Sequence, residues 1–253
     1  MSPDPRQTVL ISFLQYPPGQ GRWAMKQMGI VPRKLKHHPL NKTGDLTFYK
    51  MLGTGGGYGY SHKPDFRTYA LLTAWKNPGA AREFERNVDL MQRFRNHTRE
   101  IYSILLHPLQ SRGKWSHREP FQPSTPIPGI PLLVVLTRAT LKMRYYIPFW
   151  KRVGGVSKSL EEASGLIFTK GVGEWPWIMQ ATFSVWQSAE HMQEFAHKKG
   201  TRHREAIDTT RKKNGFREEL YARFQPLETT GTWKGSDPVG EALKKQSSSD
   251  HIS

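Results

Sequence analysis

The sequence predicts an α+β fold in which tandem ferredoxin-like repeats form a dimeric α+β barrel-type fold within one chain, and three observations carry that expectation. Four landmarks recur in the same order in the two halves, each half opens on a β-branched apolar run, and a helix-compatible stretch follows each run. At 253 residues the chain suits one large domain or two fused modules of roughly 110 residues. A 36% hydrophobic share with 8 Trp, 12 Phe and 9 Tyr is too apolar and aromatic for a disordered chain.

In the first half, Thr8-Val9-Leu10-Ile11-Ser12-Phe13 reads as a strand and Arg22 to Gly29 as a helix. Lys50-Met51-Leu52-Gly53-Thr54-Gly55 follows, then an alternating strand from Thr68 to Trp75, a helix around Ala81-Arg82-Glu83-Phe84, and a last strand from Arg99-Glu100-Ile101-Tyr102 to Gly113-Lys114-Trp115. The second half repeats the series. Leu132 to Thr137 opens it, Tyr145 to Val153 is helix-compatible, Phe168-Thr169-Lys170-Gly171-Val172-Gly173 matches the first glycine-bearing run, and Met179 to Trp186 is the alternating strand. Met192-Gln193-Glu194-Phe195 and Glu218-Glu219-Leu220-Tyr221, ending at Gly231-Thr232-Trp233, complete it. Strand, helix, strand, strand, helix, strand is the ferredoxin-like order, and two such sheets can join and leave a cavity between sheet and helices. The expected division is a first repeat over 1–119, a Pro-rich linker over 120–130, a second repeat over 131–233 and a disordered tail over 234–253.

The balance of 38 Lys and Arg against 21 Asp and Glu, +17 overall, admits nucleic acid, an anionic membrane surface or plain solubility as its purpose. No helix-turn-helix, RNA-binding aromatic motif or zinc finger accompanies the charge, so nucleic acid is the weakest of these partners. The absence of cysteine excludes disulfides, zinc ribbons, cysteine-bound clusters and thiolate chemistry. The start of the chain lacks a secretory pattern, and the longest apolar run, Ile127 to Leu136, is interrupted and about half of the roughly 20 residues a bilayer needs. A cytoplasmic location is the expectation. The glycine run from Gly53 to Gly59 lacks a Walker ending and reads as a flexible connection or a close approach to a flat ligand.

The halves differ in one place. From Phe84 to Tyr102 is 18 positions and from Phe195 to Tyr221 is 26, so the second half gains a segment around Gly200 to Thr210. There His203, Ala206, Ile207 and Thr210 share one helix face, which leaves His203 open to three readings: a core histidine, a metal or haem ligand, or an acid–base group. His97 and His191 are weaker alternatives. Trp175 and Trp177, beside Gly173, either line a large apolar pocket or plug a core.

Leu136-Thr137-Arg138-Ala139-Thr140-Leu141, Phe149-Trp150-Lys151-Arg152-Val153, Lys170-Gly171-Val172-Gly173-Glu174 with Pro176-Trp177, Thr182-Phe183-Ser184 with Trp186, and His203 with Glu205-Ala206-Ile207 together resemble the spheroidene monooxygenase family of acyclic carotenoid 2-ketolases. Glu218 to Phe224, Trp23-Ala24 with Gln27-Met28-Gly29, and Ser111 to Ser116 extend the resemblance over roughly residues 8 to 233. It implies a haem b monooxygenase that uses O₂ and an external electron donor such as reduced ferredoxin. Such an enzyme hydroxylates one carbon of an acyclic carotenoid twice and leaves a ketone at C-2. His203 becomes the proximal metal ligand, Arg138, Lys170 and Arg202 become partners for the haem propionates, and Phe149, Trp150, Gly173, Trp175, Trp177, Met179 and Phe183 become the substrate pocket. A lipid-dissolved substrate gives the positive surface a purpose, peripheral docking on an anionic membrane. The alternative is a non-catalytic lipid, polyene or haem-binding module of the same fold.

Overall fold

The structure, a computed structural model, describes residues 6–56, 64–148, 163–175, 179–197 and 209–249. The first half comprises β1 (Thr8–Gln15), α1 (Gly21–Lys36), α2 (Pro39–Lys42), β2 (Leu46–Gly55), β3 (Pro64–Trp75), α3 (Pro78–Asn87), α4 (Asp89–Arg95) and β4 (Glu100–Gly113). In the second half are β5 (Leu133–Leu141), a 3₁₀ turn (Met143–Tyr145), β6 (Leu166–Trp175), β7 (Met179–Trp186), α5 (Ala189–His197), β8 (Phe216–Gly231) and α6 (Pro238–Ser249). All strand pairings are antiparallel, and the strands close into a barrel in the order β1-β3-β2-β6-β7-β5-β8-β4.

Period two along each strand sends alternate side chains into the barrel and onto its outer face. Val9, Ile11 and Phe13 of β1, Val134 and Leu136 of β5, and Ala181, Phe183 and Val185 of β7 point inward with partners from the other five strands. Phe13, Phe168 and Phe183 meet edge to face at centroid distances of 5.1 to 6.2 Å, so the lumen is a packed aromatic core. On the outside, α1, α3 and α4 cover Leu10, Leu14, Leu71 and Trp75 of the first half.

Both halves use the same local devices. The Trp75 indole N–H donates to the Thr73 hydroxyl at 2.8 Å and the Trp186 indole to Ser184 at 2.9 Å. Each indole then tilts against a helix phenylalanine, Phe84 or Phe195. Gly113 and Gly231 have φ of +94° and +79°, and a Cβ at either would strike a backbone carbonyl of the neighbouring strand. Strand register sharpens the match between halves. Trp75 faces Thr8 and Leu46, while Trp186 faces Leu133 and Leu166, which places Met51 level with Gly171 and Gly53 with Gly173. The matched tetrapeptides of the last strands slip by one residue: Tyr102 pairs with Phe13 as Leu220 pairs with Arg138, so Tyr102 faces the lumen and Tyr221 the outside. Measured to Leu220, the added segment behind Phe195 spans 25 positions against 18.

Two expectations change, and the linker gains fixed contacts. Helix α1 runs past Gly29 to Lys36, through Pro32, because Ala24, Gln27, Val31 and Leu35 continue one buried stripe. The proline-rich segment is a fixed strap: Gln7 binds the Pro120 carbonyl and the Gln122 amide, His107 meets the Thr125 carbonyl, and Gln225 binds Ile127 and Ile130. The expected disordered tail is instead ordered from Lys234 and forms α6. Val239 plugs the barrel end, and the Tyr102 hydroxyl donates to Asp237 while accepting from the Val239 amide.

Deleting residues 237–253 is expected to lower stability by about 2–4 kcal/mol, through lost apolar burial and the orphaned Tyr102 hydroxyl. A urea melt reads this directly, and an unchanged midpoint would show α6 to be dispensable.

Candidate functional site

The lumen face carries an ion network at the β2–β6 seam. Arg138, on the inward face of β5, reaches Glu218 and Glu174, and its guanidinium lies 5.4 Å from the Trp115 ring centre. Glu174 also accepts from Lys50 and from the Trp115 indole at 2.7 Å, while Glu218 accepts the Ser116 and His117 amides at 3.0 and 2.8 Å. Lys170 lies inward on β6, 3.7 Å from an Asp65 carboxylate oxygen and over the Trp233 ring. Burial pushes its amine below the ordinary lysine range, and Asp65 opposes that. Two of the three cations assigned to propionates, Arg138 and Lys170, therefore face the lumen and are engaged by carboxylates.

The outer face of the second half differs sharply from that of the first. Across the first half the rows run Met51, Leu71, Ser12, Ser103; Tyr49, Thr73, Leu10, Leu105; and Gly53, Tyr69, Leu14, Ile101. At the same places the second half has Gly171, Thr182, Thr137, Tyr221; Thr169, Ser184, Val135, Arg223; and Gly173, Gln180, Ala139, Glu219. Met becomes Gly, two Leu become Thr and Ala, and one Tyr becomes Thr. The result is a lightly polar floor in which Gly, Ala, Ser and Thr predominate, flanked on β8 by Tyr221 and Arg223 and at its edge by Leu133, Val135 and Trp186. Thr182 and Ser184 on this floor are buried.

Of the residues singled out from the sequence, His203, Arg202, Phe149, Trp150 and Trp177 lie outside the described residues, as does the side chain of Trp175. Gly173 is on the floor, at the seam where it pairs with Gly53. Met179 begins β7, half-buried. Phe183 faces the opposite way, fully buried in the aromatic lumen. His97 stacks on Trp23 at 4.0 Å with its Nδ1 near the Arg93 carbonyl, a packed structural position; His191 contacts the Ser188 hydroxyl at the start of α5. Among the described residues no group of three His, Asp or Glu could hold a metal ion. Sequence reading missed Thr137, Ala139, Gly171, Thr182, Tyr221 and Arg223. The signal was present in the half-to-half match, but only once strand register fixed it residue by residue.

Glu218 yields a pH test. Burial alone would raise its carboxyl, but the His117 and Ser116 amides and Arg138 outweigh burial and hold it below the ordinary value of 4.5. The unfolded chain thus binds the proton more readily, so this stabilisation is present above pH 4.5 and lost as pH falls through the lowered value. Glu218→Gln is expected to lower the urea midpoint at pH 7 and flatten its fall between neutral and acid pH; an equally steep fall would remove Glu218 from the acid response.

No protein-family model matches the chain. Three relatives do. A spheroidene monooxygenase of Cereibacter sphaeroides is 40% identical over 238 residues, 94% of this chain and 72% of that protein. One of Rhodobacter capsulatus is 38% identical over 224 residues, covering 87% and 90%. One of Rubrivivax gelatinosus is 34% identical over 188 residues, covering 74% and 72%. Among solved structures, an aldoxime dehydratase shares the fold at 9% identity with a TM-score of 0.54, covering 88% of this chain and 82% of that one. Identity of this extent with three relatives places the chain in the spheroidene monooxygenase family.

Proposed function

We propose that this chain is a haem-dependent, O₂-using monooxygenase that oxidises an acyclic carotenoid end at C-2 to a ketone, on a duplicated ferredoxin-like scaffold of the dimeric α+β barrel type. The observation that carries the reading is the floor of Gly171, Gly173, Ala139, Thr137, Thr169, Thr182 and Ser184, on the outer face of the second half alone. Equivalent strands in the first half hold large side chains that pack under helices. Bulk removed at the centre of one face, with Leu133, Val135 and Trp186 kept at its margin, suits a flat, largely apolar ligand. Family membership supports the monooxygenase and carotenoid parts of the reading.

Haem, when bound, supplies the iron at which O₂ is activated with electrons from an external donor such as reduced ferredoxin. The chain's tasks are to hold that group on the floor, with His203 as the metal ligand, and to lay the carotenoid end beside it. Phe149, Trp150, Trp175 and Trp177 are the aromatic supply for that groove, with Gly173 and Met179 at its edge. Each hydroxylation inserts one oxygen atom into a C–H bond and releases the other as water, using two electrons and two protons. The second gives a geminal diol that loses water to the ketone.

Contact with an anionic membrane fits the same reading. No described helix is long and apolar enough to cross a membrane. Just after β5, however, Met143 and Ile147 are 77% and 62% exposed beside Lys142 and Arg144, a pairing of apolar and cationic groups suited to a peripheral surface.

Purified protein loaded with hemin is expected to show a Soret band, which His203→Ala loses. Gly171→Met, which restores first-half bulk to the floor, is expected to cut hemin binding by at least tenfold while the protein stays folded by circular dichroism. Unaltered binding by Gly171→Met would remove the floor from the account. Expression in a host that makes acyclic carotenoids reads the chemistry as a ketone shift in the pigment. For the membrane, Met143→Asp with Ile147→Asp is expected to release the protein from sedimenting phosphatidylglycerol vesicles; retention by the double variant would place the contact elsewhere.

A further inference from the structure

On the outer face of β8, Arg223 and Tyr221 stand where the first half has Leu105 and Ser103. The Arg223 Nε–H donates to the Tyr221 hydroxyl at 2.7 Å, and the guanidinium carbon lies 5.5 Å from the centre of the Tyr221 ring. This hydrogen bond holds the Nε edge of the guanidinium against the Tyr221 hydroxyl and leaves its two terminal nitrogens as a fork. That fork has no carboxylate partner among the described residues; the nearby Glu219 is engaged by Arg211. Across the sheet, Arg223 is level with Val135 and Ser184 and Tyr221 with Thr137 and Thr182, so the pair borders the floor directly.

A cation in place of a leucine costs apolar packing that the first half retains through Leu105. At the edge of a floor proposed to take a flat ligand, a cation held this way is placed to meet an anionic group on that ligand's rim. Planar forks of this kind match carboxylates in a bidentate manner. Arg138 and Lys170 cannot serve the same ligand, because they face the lumen and are paired there with Glu174, Glu218 and Asp65.

We infer that Arg223, oriented by Tyr221, is the carboxylate anchor of the outer-face site and holds the acidic edge of the flat ligand. The inference rests on the haem reading above and adds which residue reads the propionates. Its chemistry separates from that of the floor, because the anchor senses only the acid groups.

Titrating the full-length protein with hemin and with hemin dimethyl ester, followed by Soret absorbance, isolates the acid groups as the one difference between ligands. Arg223→Gln is expected to weaken hemin binding by roughly tenfold or more and leave the ester within about twofold of the unsubstituted protein. Tyr221→Phe keeps the ring but removes the orienting hydroxyl, and is expected to show a smaller loss of the same selectivity. Arg138→Gln is expected to lower thermal stability without changing the hemin-to-ester ratio. Equal affinity for hemin in the Arg223→Gln and unsubstituted proteins would overturn the anchor and leave the haem reading standing. Equal weakening of both ligands would mark Arg223 as a packing residue and also overturn the anchor. A protein that takes up neither ligand would overturn both readings.

Discussion

The structure depends on a closed barrel that commits one face of every strand to a shared interior. Once eight antiparallel strands close, no edge remains, and the inward positions of all of them must fill one space together. Phe13, Phe48, Tyr102, Phe168, Phe183 and Phe224 fill it, with Trp115 and Trp233 at the ends. That interior leaves little freedom for change, because every inward side chain touches neighbours from several strands. The outer faces pack mainly under helices rather than against one another, with Leu227 and Leu109 crossing between them on the long strands β8 and β4. Inside the barrel most positions stay apolar in both halves, with Phe13 and Arg138 the exception, while outside it Met51, Leu71 and Leu14 have Gly171, Thr182 and Ala139 as counterparts.

The charges obey the same division. Inward-facing Lys50, Arg138 and Lys170 reside among Glu174, Glu218 and Asp65, where indole rings and backbone amides complete their coordination. Such pairs specify register more than they stabilise, since a one-residue slip would carry a charge to the wrong face. On the outside, Arg223 has an aromatic companion in Tyr221 and no carboxylate partner among the described residues.

Much of the architecture was legible in the residues. Landmarks such as Trp75 with Phe84 and Trp186 with Phe195 stand at equal spacing because each pair makes the same contact, and that spacing survives in sequence. Single-residue equivalence was less legible: the similar tetrapeptides ending in Tyr102 and Tyr221 invite an alignment that puts both tyrosines on one face, whereas hydrogen-bond register separates them. Composition misled at the tail and was silent on what holds the proline-rich linker. Nothing local announces that Gln7 and Gln225, about a hundred residues from the strap they bind, will satisfy its backbone, or that Val239 will meet Tyr102. The family resemblance made Arg138 and Lys170 partners for haem propionates, but which side of a strand each occupies is settled only by the bulges and pairings of β5 and β6.

The turns that follow β4 and β8 cross over between the halves. Amides of Ser116 and His117, in the first, are satisfied by Glu218 of the second, while amides of Lys234 and Gly235, in the second, are satisfied by Glu100 of the first. Each half finishes its own last turn with an acceptor borrowed from the other. Severed from the other half, either piece would leave these amides to water. One polypeptide carrying both halves therefore guarantees the stoichiometry that these reciprocal clasps demand.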